Sequence, residues 1–463
     1  MRHFYFYSDE IVLNGIRVSN INIDLPTDYL FSYNSQTRIF TIHISDTSKQ
    51  NYGNMSLFSN SHFENINGDY GSIGSIYSFE RQPAIHLIIF NTTIINSHAT
   101  TYGGAFVIQD LPLSSFNLTF LRCNFKNVRG TEYGGILYAI GSQDYKAINL
   151  VAINSSIIED TSQISIGPQF IFGSAYRGGS IYLDYTTQQY GLEKKSVDLD
   201  ISYFFILNST SFSDGGFLYV SGNIKLYLKL QLTNFEEISA SIMEKEFDNI
   251  QGTVVGGGFA SLILDELDIF IFKCSFTRIG SFRQGGGIFL IKSDKVAIEF
   301  SNVEILEVLA QTQGGIMYVK AQNYDIKFQN VSIRCNSSND YNPNFAYNKA
   351  TLFYLDASND LISRFVGKFI NYENCGTANE GGIFNLNNNA LLNVTNTNYT
   401  NISASKGGII YCTQCQIIIH HSLFTAIDAQ YGSIIYINGN TMIHVEDSVF
   451  LKNSAYYADD DSC

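Results

Sequence analysis

Residues 314–319 read Gly-Gly-Ile-Met-Tyr-Val, and variants of this hexapeptide recur through most of the chain. The shared pattern is Gly-Gly-x-φ-Tyr-φ, in which φ is an apolar residue. Clear copies begin at Gly103, Gly134, Gly178, Gly215, Gly256, Gly285, Gly314, Gly381 and Gly407, and weaker copies begin at Gly74 and Gly432. A copy without glycines, residues 350–355, lies in the long interval after Gly314. One short motif repeated in this way predicts a solenoid of stacked units.

Each repeat contains two further segments in which apolar and polar residues alternate. Residues 326–331 (Ile-Lys-Phe-Gln-Asn-Val) and 275–277 (Ser-Phe-Thr) are examples. Alternation with a period of two residues is typical of strands, and no convincing amphipathic helix lies between the segments. The sequence therefore predicts an all-β fold, a right-handed single-stranded parallel β-helix (a β-solenoid) of about 12 coils with polar inserts. The glycines are expected at sharp corners.

The motif also predicts which side chains face the core. The residue before each tyrosine position is expected to be buried in one ladder: Leu137, Ile181, Leu218, Ile288, Met317, Phe353, Phe384, Ile410 and Ile435. Because neighbouring strand residues point to opposite faces, the tyrosines themselves are expected to face outward.

Three regions are predicted along the chain. Residues 1–54 are interpreted as an N-terminal cap of atypical strands, residues 55–455 as the β-helix repeats, and residues 456–463 as an acidic tail. The N-terminus lacks the apolar core of a signal peptide, and no stretch of about 18 apolar residues predicts a transmembrane segment. We therefore expect flanking sequence to supply a leader and any membrane anchor.

The composition excludes one class of partner. The formal net charge is −14, and the acidic residues are spread along the chain. Nucleic acids and anionic membranes require clustered Lys and Arg, so neither is an expected partner. No dinucleotide or phosphate loop is present, because the Gly-Gly motifs do not precede helices, and no cofactor is expected.

The Gly-Gly-x-Ile/Phe copies, each followed by a strand containing Phe and Asn such as Phe450-Leu-Lys-Asn453, resemble a known class. They are similar to the repeats of polymorphic outer membrane protein-type passenger domains and of protist surface β-helix proteins, within the pectin-lyase-like superfold. This resemblance covers about residues 55–455. It implies a cell-surface, adhesion or scaffold role, although the superfold also includes enzymes that cleave acidic polysaccharides.

The catalytic signatures of those enzymes do not occur in the chain. The nearest carboxylate groups are Asp198/Asp200 and Asp265/Glu266/Asp268, which we interpret as solvated faces because no Arg or His lies near them in sequence. His420 and His421 are adjacent, and adjacent strand residues do not readily ligate one metal ion, so no metal site is predicted. Cys412 and Cys415 have Cys-x-x-Cys spacing but follow a strand, and we interpret them as buried thiols.

Two features point to binding or modification. The outward tyrosines form a candidate surface-binding aromatic ladder: Tyr138, Tyr182, Tyr219, Tyr318, Tyr354, Tyr411 and Tyr436. The same rings can also stabilise the sheet by cross-strand packing. Candidate N-glycosylation sequons begin at Asn54, Asn91, Asn117, Asn154, Asn208, Asn330, Asn336, Asn393, Asn398 and Asn401.

The leading functional hypothesis is a non-catalytic cell-surface or scaffold β-helix that binds an unidentified protein or glycan in an extracellular location. The first alternative is a carbohydrate-active polysaccharide lyase or glycoside hydrolase of the same superfold. The second alternative is a structural rod in the cytoplasm.

Overall fold

The structure is a computed structural model of the full chain. It describes residues 4–6, 13–14, 17–22, 40–43, 54–77, 85–109, 116–140, 147–153, 156–158, 178–185, 195–207, 209–211, 213–240, 256–281, 285–310, 313–335, 351–358 and 362–457. These residues form a parallel β-solenoid of about 10 turns, and the described ranges contain strands and no helix. Within those ranges, accordingly, no helix is long and apolar enough to cross a membrane. The all-β solenoid prediction is therefore confirmed, whereas the handedness and the number of coils stay predictions.

The chain divides into two compact units, Met1–Thr233 and Asn234–Cys463. The strands of the first unit are β1 (Phe4–Phe6), β2 (Leu13–Asn14), β3 (Arg17–Asn22), β4 (Phe40–His43), β5 (Asn54–Ser59), β6 (His62–Tyr70), β7 (Gly74–Tyr77), β8 (Ile85–Phe90), β9 (Thr93–Tyr102), β10 (Phe106–Gln109), β11 (Phe116–Leu121), β12 (Asn124–Gly130), β13 (Leu137–Ile140), β14 (Ala147–Ile153), β15 (Ser156–Ile158), β16 (Ile181–Tyr185), β17 (Lys195–Ser202), β18 (Phe205–Leu207) and β19 (Leu218–Gln231).

The strands of the second unit are β20 (Asn234–Glu236), β21 (Ser239–Ala240), β22 (Ala260–Phe272), β23 (Ser275–Thr277), β24 (Gly280–Ser281), β25 (Phe289–Leu306), β26 (Leu309–Ala310), β27 (Gln313–Arg334), β28 (Thr351–Ala357), β29 (Ser363–Glu373), β30 (Gly376–Glu380), β31 (Phe384–Thr395), β32 (Asn398–Lys406), β33 (Ile410–His420), β34 (Leu423–Tyr431), β35 (Ile435–Asn438), β36 (Met442–Glu446), β37 (Val449–Leu451) and β38 (Ser454–Tyr457).

Parallel pairing between equivalent strands of successive coils defines the topology. In the first unit β10 pairs with β13 and β13 with β16, while β11 pairs with β14 and β14 with β17. Each of these strands therefore pairs with the third strand after it, as expected for coils of three strands. The described strands between Phe4 and His43 pair in the same parallel way, β1 with β4 and β4 with β7.

The predicted core ladder is present in each unit. In the first unit Leu137, Ile181 and Leu218 are successive register partners, and all three are buried. In the second unit the ladder is Ala260, Phe289, Met317, Phe353, Phe384, Ile410 and Ile435. All of these are buried except Ile435, which is half-buried rather than buried as predicted. The hidden repeat at 350–355 is confirmed, because Phe353 pairs with both Met317 and Phe384.

Three copies of the predicted motif are misaligned by one to three residues. In the copy begun at Gly256, Gly257 makes the corner and Ala260 occupies the ladder. Phe289, rather than Ile288, occupies the ladder, because Gly286 and Gly287 are the equivalents of the usual Gly-Gly pair and Gly285 precedes them. Likewise Gly71 makes the corner of its coil, so that Gly74 pairs with Phe106 as a strand residue. Surplus glycines make such alignments ambiguous, and the coil-to-coil hydrogen bonds resolve them.

Left-handed residues mark up to three corners in the described coils. The first corner is the first glycine of the motif, such as Gly103 (φ 59°) or Gly314 (φ 68°). The second corner in the second unit is formed by Lys273, Asn302, Asn330, Phe369, Asn396, His421 and Asp447, which lie in register and have φ between 48° and 55°. The third corner follows a few residues later, for example at Asn374 and Asn401. Glycine and asparagine adopt this conformation most readily, which explains their abundance.

The second glycine of the motif is required for a different reason. A Cβ atom on Gly382 would overlap the carbonyl oxygen of Gly408 in the next coil. The equivalent Gly315 faces a side chain instead, because its Cβ would lie 3.0 Å from the Leu352 Cδ2 atom. Backbone cannot move out of the way without breaking the coil-to-coil hydrogen bonds, whereas a leucine rotamer can.

This difference generates a test with a matched control. We expect Gly382→Ala to lower the free energy of unfolding by about 2–3 kcal/mol, in the upper range for overpacked sites, and Gly315→Ala to lower it by less than about 1 kcal/mol. Chemical denaturation of both variants beside the parent protein measures the two values. Equal losses in the two variants would contradict the assignment of the second glycine to close coil approach.

Candidate functional site

The tyrosine column predicted as a binding surface is buried in the structure. Tyr138, Tyr182 and Tyr219 are successive register partners with exposed fractions of 4%, 4% and 3%. In the second unit Tyr318 and Tyr411 are also buried, while Tyr354 and Tyr436 are half-buried. The prediction that the whole ladder is solvent-exposed is therefore wrong, although the tyrosines do lie on the strand face opposite the core ladder.

Ring stacking explains part of this burial. The ring centroids of Tyr182 and Tyr219 are 5.0 Å apart with planes 7° from parallel, and those of Tyr318 and Tyr354 are 4.8 Å apart at 7°. Tyr133 adds a further ring 4.5 Å from Tyr182. In-register strands place identical rings one coil apart, so each ring covers its neighbour. The column therefore acts as a cross-coil stabilising element.

The Tyr182 and Tyr318 hydroxyls are held in their neutral form. Burial raises the pKa of Tyr182 above its ordinary range, and the negative charge of Asp184 raises it further. Burial and then Asp356 raise the pKa of Tyr318 to about 12. The Tyr182 hydroxyl donates a hydrogen bond of 3.1 Å to Asp184 Oδ2, and Ser221 Oγ donates one of 3.0 Å to Asp184 Oδ1. Neither phenol is ionised near neutral pH, and the Tyr182 hydroxyl serves as a hydrogen-bond donor.

The sequon asparagines have a structural role where they are described with their side chains. Asn91, Asn330, Asn398 and Asn401 are exposed, and Asn393 is half-buried. Three of them are left-handed corner residues whose side-chain amides donate hydrogen bonds to an asparagine of the preceding coil. These are Asn91 to Asn60 (2.7 Å), Asn330 to Asn302 (3.2 Å) and Asn401 to Asn374 (3.0 Å). Asn54 and Asn117 lie in strands, and Asn154, Asn208 and Asn336 lie outside the described residues.

The carboxylates considered for catalysis lie on outward strand faces. Asp200 pairs with Lys229 of the next coil, with Nζ and Oδ2 2.8 Å apart, and Glu266 pairs with Lys295 at 3.4 Å. Asp198 also lies on the outward face, where partial desolvation raises the pKa of its carboxyl. Asp200 and Glu266 are therefore paired with lysines 29 positions further along the chain, in neighbouring coils, which local sequence did not reveal.

A shallow groove runs along the second corner of four successive coils in the second unit. We call it the corner groove. Lys273, Asn302, Asn330 and Phe369 occupy the corner itself, one from each coil. The residues two positions later line one side: Ser275, Glu304, Ser332 and Asn371. Strand stacking of about 4.8 Å per coil makes this groove about 14 Å long.

Phe369 is the unusual member of the corner groove. It has φ 55° and an exposed fraction of 55%. A bulky residue in the left-handed region is a conformational outlier that costs about 1–3 kcal/mol, and such strain is concentrated at functional sites. The neighbouring coils use asparagine at the same corner. Phe369 could have been noticed from sequence only by aligning Phe369-Ile-Asn with Asn302-Val-Glu and Asn330-Val-Ser.

The chemistry of the corner groove suits a polar ring-shaped ligand. An exposed aromatic face packs against apolar ring CH groups, and amides can donate to and accept from hydroxyls. The hydrogen bond from the Asn330 amide to Asn302 already aligns these two side chains. Ser275 Oγ donates a hydrogen bond of 3.0 Å to Asn234 Oδ1. Side chains ordered in this way lose little conformational entropy when a ligand binds.

The cysteines differ from the sequence interpretation. Cys412 and Cys415 are joined as a disulfide, and Cys335 is joined to Cys375 of the following coil. Cys123 and Cys274 are buried and take no part in these two disulfides, and burial raises the pKa of Cys123 to about 11. Such a thiol is protonated and unreactive near neutral pH.

Substitution of the stacked tyrosines distinguishes a structural column from a binding surface. We expect Tyr182→Ala to lower the free energy of unfolding by about 3–5 kcal/mol, because it removes a buried ring between two others. Tyr182→Phe keeps the ring and should cost about 1 kcal/mol. Tyr227→Ala, at a tyrosine 41% exposed in the same unit, is the control and should change stability by less than about 1 kcal/mol. Denaturant titration measures all three, and equal effects at Tyr182 and Tyr227 would show that the column carries no packing energy.

Comparison with known proteins gives no relative to which function could be transferred. A scan against protein-family models, a search of curated proteins and a search of solved structures each found no match to this chain. Function is therefore argued from the geometry of the chain's own residues.

Proposed function

We propose that this protein is a non-catalytic β-solenoid scaffold that binds neutral glycans along the corner groove. The observation that carries the proposal is the exposed, left-handed Phe369 beside the aligned amides of Asn302 and Asn330. A net charge of −14 disfavours acidic polysaccharides, so uncharged sugar chains are the better ligand class. The proposal requires Asn330 to carry no glycan, because a glycan there would fill the groove.

The arrangement of charged groups supports a non-catalytic role. Arg364 forms two hydrogen bonds to Asp325, at 2.8 and 2.7 Å, and this contact lowers the pKa of the Asp325 carboxyl. Arg334 pairs with Glu373 in the same coil-to-coil manner, at 3.0 Å. A catalytic acid needs an accessible carboxyl group whose pKa is shifted toward the working pH. These carboxylates instead form ion pairs that hold neighbouring coils together. The alternative function remains a polysaccharide lyase or glycoside hydrolase.

The disulfides support an extracellular location. Cys335–Cys375 links residues 40 positions apart on successive coils. Disulfides persist in oxidising compartments and are rare in the cytosol. Together with the resemblance to right-handed, pectin-lyase-like surface repeats, they favour a cell-surface protein with an adhesive role over a cytoplasmic rod. The exposed sequons at Asn91 and Asn398 would then be candidate glycosylation sites.

Phe369→Asn tests glycan binding without threatening the fold. Asparagine suits the left-handed corner, so the variant should be as stable as the parent or more stable by about 1 kcal/mol. Isothermal titration calorimetry with a panel of neutral hexasaccharides (cello-, xylo-, manno- and maltohexaose) should detect binding to the parent chain. We expect the variant to bind at least about tenfold more weakly, a loss of about 1.4 kcal/mol.

Tyr203→Asn is the matched control for this substitution. Tyr203 is a left-handed aromatic corner residue with an exposed fraction of 54%, and it does not line the corner groove. Its replacement should leave binding unchanged. The proposal fails if no hexasaccharide binds the parent chain, or if Phe369→Asn binds as well as the parent. Release of reducing or unsaturated ends from the hexasaccharides or from polygalacturonate, above a denatured control, would favour the enzyme alternative.

The location is tested through the cysteines. Alkylation of thiols in intact source cells, followed by mass spectrometry, should recover the Cys335–Cys375 linked peptide, and recovery of both residues as free alkylated thiols would favour the cytoplasmic alternative.

In purified protein, Cys335→Ser with Cys375→Ser should lower the free energy of unfolding by about 4 kcal/mol, because the bond closes a long loop. Cys412→Ser with Cys415→Ser is the control, with a sequence separation of 3 and an expected loss of about 2 kcal/mol.

A further inference from the structure

His420, His444 and Glu446 come together on the outward face of two neighbouring strands. His420 ends β33, and its register partner on β36 is Glu446, while His444 pairs with Ile418. His444 and Glu446 are two positions apart on one strand, so their side chains share a face. On β33 the alternating residues Ile417 and Ile419 are buried, so Ile418 and His420 face the solvent side. Their register partners His444 and Glu446 lie on the same side.

The distances suit a shared metal ion. His420 Nδ1 lies 3.2 Å from Glu446 Oε2, and His444 Nε2 lies 3.7 Å from the same oxygen. One ligand atom from each of the three residues can be chosen so that all lie within 4.8 Å of one another. Ligands at about 2.0–2.2 Å around a tetrahedral zinc ion are about 3.3 Å apart, so small rotamer changes would close the group around the metal.

We propose that His420, His444 and Glu446 form a zinc site that ties the β36 strand to β33. Two imidazoles and one carboxylate are a ligand set that Zn²⁺ favours over Ca²⁺ or Mg²⁺, which prefer oxygen ligands. The side chains of His444 and Glu446 are 61% and 57% exposed, which leaves the fourth coordination position open to solvent.

The proposed ligands belong to two paired strands, β33 and β36. A metal ion held by both strands would add a link between their coils. Binding to the folded chain alone would then raise its stability by mass action.

A neighbouring histidine provides a built-in control. His421 follows His420 but occupies the left-handed corner, and its Nδ1 lies 3.6 Å from Asp447 Oδ2. Like His420, it is a histidine that faces a carboxylate of the next coil. It lies outside the proposed ligand set.

The full chain, stripped with a chelator and titrated with ZnCl₂ in a calorimeter, should bind one Zn²⁺. His420→Ala, His444→Ala and Glu446→Gln should each weaken binding at least about tenfold, whereas His421→Ala should leave it unchanged. Zinc should also raise the melting temperature of the parent and of His421→Ala, but not of His444→Ala.

Cobalt substitution gives a second readout on the parent chain, independent of variant folding. Co²⁺ at the site should produce visible absorption typical of low-coordinate nitrogen and oxygen ligation, and excess Zn²⁺ should abolish that absorption. The proposal is overturned if the parent binds no more Zn²⁺ than the His420→Ala/His444→Ala double variant. It is also overturned if His421→Ala weakens binding as much as His444→Ala.

Discussion

Every coil of this solenoid has to bend sharply while its backbone stays within hydrogen-bonding distance of the coils on either side. In the described residues the bends are made at left-handed positions, and the positions of successive coils lie in register. The first corner also brings the backbones so close that a Cβ atom on the second glycine, as at Gly382, would overlap the next coil. The core ladder and the tyrosine stacks depend on this constraint, because only coils that turn at equivalent residues can pair their strands without slipping.

The same constraint shapes the surface. Asparagine is favoured at the other two corners, where its amide can bond to the asparagine one coil away, as between Asn96 and Asn65. The next residue is buried and the one after it is an outward strand residue, which is often Ser or Thr. Asn91-Thr92-Thr93 and Asn401-Ile402-Ser403 both arise in this way. An Asn-x-Ser/Thr pattern is therefore partly a by-product of corner geometry, and the ten sequons are weaker support for glycosylation than their number suggests.

Many corners hold residues other than glycine or asparagine, such as Tyr203 and Leu232, and two of these departures lie at the sites proposed above. Phe369 keeps an aromatic ring exposed at a position where Asn would be less strained. Near the end of the described residues the corner is His421 and then Asp447, and the strand positions before them bring His420 to Glu446. Lys229 and Asp200 are an example of outward charges that pair along the stack.

The sequence by itself determined the repeat, the strand alternation and the core ladder, including the repeat at 350–355 that has no glycines, because these follow from local turn and side-chain periodicity. It could not settle whether a side chain on the outer face is covered: the stacked tyrosines are buried by rings from other coils, such as Tyr133 against Tyr182. Nor could it place Gly285, pair Cys335 with Cys375, or bring His420 beside His444. Those outcomes depend on which residues of successive coils lie in register. Because inserts of variable length lie between the coils, the register cannot be read from a fixed spacing along the chain.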